Sequence, residues 1–341
     1  MHVRRVVVLF CLSVVITRLP GADNFYGPIL GIIPDLPSGT IRPIRGIPGA
    51  ATVGPAVSVG ENASIMAVSP RQTVAVTTSG SGTLIASLSQ DGPLSNAESG
   101  LPPGFVPTAL AFSPSGSAIA FYDGAARNIW VKRDTLHTVD ITRLGNPVQL
   151  LAVSDRSDPL IAGTVRGDAH TVFLLDNSNY RLVSGFEEVS DVAFIGATGD
   201  VAIADQGARK VLVIHDGFSG SAPMPALDLS STVNAPIHIS GSADGRLLAV
   251  LSISGLEAPV MDQSFPGAAR NPAVHRRRSI GVLRLSDGAW KPMECNCTPE
   301  RLVPLRGNAL FRLTQNIDRP VWLLDADSET PQLSFIPAVQ P

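Results

Sequence analysis

The feature that most limits what this chain can fold into is a unit that returns along it. Between Ala109 and Asp134 the stretch ALAFSPSGSAIAFYDGAARNIWVKRD holds three short apolar runs separated only by PSG and DGAAR. The runs are rich in small, β-branched and aromatic residues, and the gaps in Pro, Gly, Asp and Ser, so the runs read as strands and the gaps as tight turns. The plan recurs. First strands read IMAVS at Ile65, ALAFS at Ala109, LLAVS at Leu150, DVAFI at Asp191, IHISG at Ile237 and RLVPL at Arg301. Second strands follow as TVAVTT, SAIAFY, PLIAGT, DVAIAD, RLLAVL and ALFRLT, and third strands as TLIASLS, NIWVKR, TVFLLD, KVLVIH, SIGVLRL and PVWLLD. A weaker fourth strand closes most copies, for example HTVDIT at His137, YRLVSG at Tyr180 and QLSFIP at Gln332.

Four copies align on an alanine of the first strand, Ala67, Ala111, Ala152 and Ala193, at spacings of 44, 41 and 41. Small side chains suit strands that converge on a shared axis. Four strands in a unit of about 40 to 45 residues is the period of a propeller blade. The 31 Gly and 28 Pro, spread along the chain without a period, fit many short strands and turns. A β-sandwich is the structural alternative, but it does not require a four-strand unit to return six times. The expected fold is therefore all-β, a single propeller of six or seven four-stranded blades over residues 23–341.

Two segments break the rhythm. In the fifth copy, residues 253–278 separate the second and third strands with a long Pro/Gly-rich loop that ends in His275, Arg276, Arg277 and Arg278. Loops of that length inside a compact domain commonly carry function. Near the start, GPILGIIPDLPSGTIRPIRG resembles a third strand, a turn and a fourth strand without partners before them. It reads as a hairpin that joins the C-terminal copy and hides sheet edges, which favours six blades over seven.

Residues 1–22 carry Arg4 and Arg5 ahead of an apolar run from Val6 to Ile16, then LPGA. That run is too short for a membrane-spanning helix, which needs about 20 residues, and reads as a secretory signal. A secreted or periplasmic location is expected, with no transmembrane segment in the mature chain. The formal net charge is −3, and loss of the leader removes three arginines and no acid. An acidic chain is a poor match for nucleic acid, which calls for a basic face. The mature chain keeps Cys295 and Cys297, which can pair across one residue in a strained, redox-labile ring, stand unpaired as structural residues, or contribute to a metal site. Two thiols with no second pair nearby do not make a zinc site.

AFSPSGSAIAFYDGAARNIWVKRD, from Ala111, resembles the WD40-like repeat of the TolB-type β-propeller family, and SADGRLLAVLS at Ser242 is a partial second match. The resemblance implies a ring of blades in an exported bacterial protein. Ser115 stands where the family pattern has Asp. Nothing resembling the separate N-terminal domain of TolB is present, so its partner interactions do not carry over.

The sequence contains no HExxH, GxSxG, GxxxxGK[ST] or helix-opening GxGxxG, and no two histidines of the mature chain are three or four residues apart. No catalytic residue, metal or cofactor is assigned. In a four-stranded meander the loops between second and third strands all emerge at one end of the ring, where a rigid scaffold can present binding groups. These loops hold Asp123 and Arg127, Arg166, Asp168 and His170, Asp205 and Arg209, His275 to Arg278, and Asp318 and Arg319. Such a face can take a carboxylate, with arginine supplying forked hydrogen bonds. The same residues also form turns and exposed ion pairs without any ligand. The expected function is a noncatalytic binding or assembly scaffold for a protein or small acidic ligand. The alternative is a lactonase-like propeller hydrolase with a site at the channel mouth. Trp130 and Trp322, in third strands, are expected to pack between blades.

Overall fold

The computed structural model describes residues 28–338 apart from 36–38, 60–63, 89–94, 98, 177–178, 217–223, 230, 232–233, 257–275, 296 and 315–317. The expected leader, residues 1–22, and His275 lie outside the described residues. Seven four-stranded antiparallel sheets make seven blades of a propeller ring, spanning 29–58, 64–97, 109–140, 148–184, 189–228, 235–293 and 303–336. The innermost strands are Ile29–Asp35, Ser64–Val68, Ala109–Phe112, Val148–Val153, Val189–Ile195, Ala235–Gly241 and Val303–Pro304. A single helical turn lies at Thr142–Leu144, and among the described residues no helix is long and apolar enough to cross a membrane.

A strand sends alternate side chains to opposite faces, and here each face meets a different blade. In the third blade Ala120 and Tyr122 pack toward the fourth, while Phe121 packs toward the second. In the sixth, Leu248 and Val250 face the fifth blade, and Ala249 and Leu251 face the seventh. Second strands such as SAIAFY and DVAIAD are thus apolar without alternation because both of their faces are covered. The core is accordingly divided into seven apolar clusters, one at each blade-to-blade joint. Trp130 joins the cluster between the second and third blades, and Trp322 the one between the sixth and seventh, where its ring is tilted against Phe335 at 5.4 Å.

The N-terminal segment does not add strands to the last copy. Val303–Ile336 already supplies four strands, and Ile29–Asp35 and Thr40–Ile47 form a blade of their own, in which Thr40–Ile47 also pairs with the short strands Ala50–Val53 and Val57–Ser58. The reading of a terminal hairpin attached to the C-terminal copy is corrected, and the count is seven. Turn residues after Ile47 hid the third and fourth strands of this blade, which are too short to show a pattern.

Among the described residues no strand is shared across the seam between the first and last blades. Leu30, Ile33, Ile44 and Ala51 instead pack on Leu305, Leu310, Val321, Leu323 and Ile336. Polar contacts complete the closure. Gln72, fully buried in a turn of the second blade, accepts the Ile32 N–H of the first blade at 2.8 Å and donates Nε2 to the Pro304 carbonyl of the last at 2.9 Å. Arg306 donates its backbone N–H to Leu30 and its side chain to the Gln72 carbonyl. One side chain therefore links three blades.

Gln72 holds φ at 58°, in the position where the equivalent turns carry Gly116 at 76° and Gly245 at 72°. Glycine there would relieve the backbone, so Gln72 is retained for its side chain. Substitution Gln72→Gly should lower the unfolding free energy by about 1–3 kcal/mol in urea denaturation, because two buried backbone groups lose their partner. An unchanged or higher midpoint would show that the apolar seam closes the ring unaided.

Candidate functional site

The inner strands surround a cavity of about 420 Å³ on the ring axis, to which all seven blades contribute. Ala67, Ala111, Ala152 and Ala193 line it, as the repeat alignment expects, and Ser240 and Val303 follow in the sixth and seventh blades. Across blades two to four its wall is apolar, with Met66, Leu110, Phe112 and Leu151 reaching the cavity. Across blades five to seven, beside Phe194, Ile239 and Leu302, it carries its charged and titratable groups: Asp191, His238, Arg301 and Arg312.

Asp191, His238 and Arg301 sit near the starts of three consecutive inner strands. A register shift precedes each of the first two, between Val189 and Asp191 and between Pro236 and His238, with the extra residues Ser190 and Ile237 bulged out. The bulge re-aims the following side chain. The Asp191 carboxylate accepts the N–H of Val192 at 3.0 Å and of Ile239 at 2.9 Å, so it ties blade five to blade six. The imidazole Nδ1 of His238 is 3.3 Å from Asp191 Oδ2, off the line of a hydrogen bond. On its other side Arg301 Nε donates to His238 Nε2 at 3.0 Å. Burial holds the His238 pKa below its usual value; the Asp191 carboxylate pulls it up and the Arg301 charge pushes it down.

Arg312 comes from the second strand of blade seven, opposite Val303. Its side chain is almost fully buried, and Nε and Nη1 have no hydrogen-bond partner among the described residues. Burial lowers its pKa to about 10, with Glu300 opposing that shift and Arg301 adding to it, so the guanidinium stays charged at neutral pH.

Antiparallel meanders put the starts of the inner strands at the same end of the ring as the loops between second and third strands, so the loops singled out from sequence flank this mouth. Their side chains are variously engaged. Asp123 accepts the N–H groups of Ala125 and Ala126, and Asp205, 2% exposed, accepts those of Glu187, Glu188 and Ala208. Arg127 and Arg209 are the matching left-handed turn residues, at φ 56° and 55°, and their carbonyls anchor Ile141 and Leu229 after the fourth strands. Both pairs clasp their hairpins. Asp168 accepts the His170 N–H, and His170 Nδ1 lies 3.2 Å from the Phe186 carbonyl. Arg166, Asp318 and Arg319 are on or near the surface.

The arginine run falls differently from its sequence reading. The flanking strands extend to Leu256 and from Arg276, so Arg276, Arg277 and Arg278 belong to a strand. Arg278 donates to the Pro299 carbonyl at 2.7 Å and so holds the segment that carries Arg301. Cys295 and Cys297 form a disulfide beside the cluster between blades six and seven.

A wider recess of about 690 Å³ lies among the turns at the other end, lined by Arg71, Asp244, Arg306 and Asn308. Asp244 and Asn308 are bound to each other there, and Arg306 donates to the Gln72 carbonyl. Burial pushes the Asp244 carboxyl up, but hydrogen bonds from Ser242, Arg246 and Asn308 outweigh it and hold the group at about 2. The channel mouth, where two nitrogens of a buried guanidinium lack a hydrogen-bond partner among the described residues, is the better candidate.

No family model and no curated protein sequence matches the chain. Solved structures do. A functionally unknown protein from Desulfotomaculum acetoxidans is similar at 12% identity and TM-score 0.52, over 92% of this chain and 100% of that one. A streptogramin B lyase is similar at 13% identity and TM-score 0.50, over 81% and 82%. They show the fold. At that identity they show nothing further. A putative TolB from Agrobacterium tumefaciens, at 13% identity and TM-score 0.44 over 78% and 89%, is too distant for an argument.

Because His238 has a depressed pKa in the fold, its contribution to stability is complete above its unfolded value of about 6.5 and is lost as pH falls below it. Unfolding free energy should therefore decline below about pH 6.5 with up to about 1.4 kcal/mol per pH unit from this group. The decline should be shallower in His238→Gln, measured by denaturation from pH 7.5 to 5. An identical slope in the two proteins would mean that His238 titrates as an ordinary surface histidine.

Proposed function

We propose that the protein is an exported, noncatalytic binding scaffold that takes an acidic group at the channel mouth. The observation that carries this reading is the convergence of Arg301, Arg312 and His238 on one wall of the cavity, with Nε and Nη1 of Arg312 lacking a hydrogen-bond partner among the described residues. A guanidinium fork matches a carboxylate in two parallel hydrogen bonds. The loops around the mouth offer further Arg and Asp residues for a partner's rim, and the leader-like start supports a secreted or periplasmic setting.

The hydrolase reading draws on the Asp191–His238 contact, since a carboxylate behind an imidazole is one way to orient a general base. Arg301 weakens it. With Nε of Arg301 donating to His238 Nε2, the lone pair that would take a proton is already engaged.

Binding of a fluorescent glutamate-rich peptide to the purified full chain tests the scaffold reading. Affinity should fall with added salt and drop about tenfold in Arg301→Ser, the range expected for one charge-assisted hydrogen bond. Equal affinity in the two proteins would move the acidic ligand away from the mouth. Lactone or ester turnover that is lost in His238→Gln would favour the hydrolase instead.

A further inference from the structure

Register along the ring isolates one residue. Opposite the inner-strand positions Ala111, Ala152, Ala193 and Ser240, the second strands carry Ala120, Ala162, Ala202 and Ala249, and the second blade sets Val76 opposite Ala67. In the last blade the same position, opposite Val303, is Arg312. A propeller that needed only to close would put a methyl group there, as four other blades do. Blade seven instead places a guanidinium that is 4% exposed, lines the cavity, and has Nε and Nη1 unpaired. Burying a guanidinium with two nitrogens unpaired costs free energy even though the Glu300 carboxylate favours its charge, and a ligand that pairs those nitrogens offsets that cost.

The rest of the cavity says what kind of ligand. Blades three and four stand across the ring from blade seven. They contribute Leu110, Phe112 and Leu151, which are only partly buried, with the exposed Met66 of blade two beside them. At about 420 Å³ the space lies within the range of small-ligand sites, roughly 300–1,000 Å³. Its charged groups all lie on one side, and the facing side is wholly apolar.

We propose that this cavity binds a small carboxylic acid with an apolar tail, its carboxylate held by the unpaired nitrogens of Arg312 and its tail laid against Leu110, Phe112 and Leu151. The inference rests on the reading of the mouth as an acidic-ligand site and adds the ligand's second half. Arg301 stands nearer the opening, where it keeps His238 engaged and adds positive potential at the entrance. Asp191 has its oxygens committed to Val192 and Ile239, and Glu300, which favours the charge on Arg312, makes no hydrogen bond to its Nε or Nη1.

Isothermal titration of the full chain at pH 7.5 and fixed ionic strength, with acetate, hexanoate and hexylamine, tests the inference. Hexanoate should bind at least tenfold more tightly than acetate, and hexylamine should not bind. Arg312→Met, which keeps length and removes charge, should weaken hexanoate at least tenfold. Phe112→Asp, on the facing wall, should bring hexanoate down to the level of acetate, and it serves as an independent arm if Arg312→Met does not fold. Equal affinity for acetate and hexanoate in the unaltered chain would overturn the apolar tail while leaving an acidic-ligand site standing. Hexanoate binding unchanged by Arg312→Met would overturn the anchor. No binding of either acid would overturn the acidic-ligand reading together with the inference.

Discussion

Every blade in this protein is apolar on both faces, and that constraint governs the rest of the structure. A sheet such as Ile119–Asp123 with its neighbours cannot fold as a stable unit alone, because Ala120 and Tyr122 need one partner and Phe121 needs another. Burial becomes complete only when the last blade meets the first. Here that seam is made by the apolar cluster of Leu30, Ile33, Leu305 and Leu310 and by the Gln72 side chain that reaches across it. Closing a ring between residues more than 200 positions apart carries a chain-entropy cost, and the buried polar bonds help specify which edges meet.

The same closure explains the channel. Inner strands can approach one another around the axis because Ala67, Ala111, Ala152 and Ala193 are small, and what space remains is filled or left open according to the residues of the other blades. Blades two to four line it with apolar groups. Blades five to seven depart from the pattern: Asp191 and His238 lie in their inner strands and Arg301 just before its own, and Arg312 replaces alanine in the second strand of the last blade. The asymmetry of the channel is thus a set of local exceptions on a regular frame, which is how a scaffold acquires a site.

Much of the frame is legible in the residues, and the site is only partly so. Strands, turns and the four-strand unit follow from alternating or continuous apolar runs and from DG and SPxG turns. The first blade escaped because Ala50–Val53 and Val57–Ser58 are too short to stand out. The loop residues Asp123 and Asp205 have the composition of ligands, yet their carboxylates are spent on backbone N–H groups of their own turns, which is a use that composition alone does not separate from binding. Arg312 was visible in ALFRLT once the second strands are laid in register, as the one charge in a column of alanine and valine. Asp191, His238 and Arg301 each lie in a recognised inner strand, but nothing in a linear reading joins residues 47 and 63 positions apart.

By itself, the sequence determined the local conformation: which stretches are extended, where they turn, and that the sheets are apolar on both sides, since these follow from side-chain chemistry within a few residues. Only the tertiary structure decided that there are seven blades, that the N-terminal strands form one of them, and that an aspartate, a histidine and two arginines share one wall. The physical reason is that ring closure is a property of the whole set of joints. The number of blades is the number at which the last exposed face finds the first, and the axis on which distant side chains meet does not exist until it does.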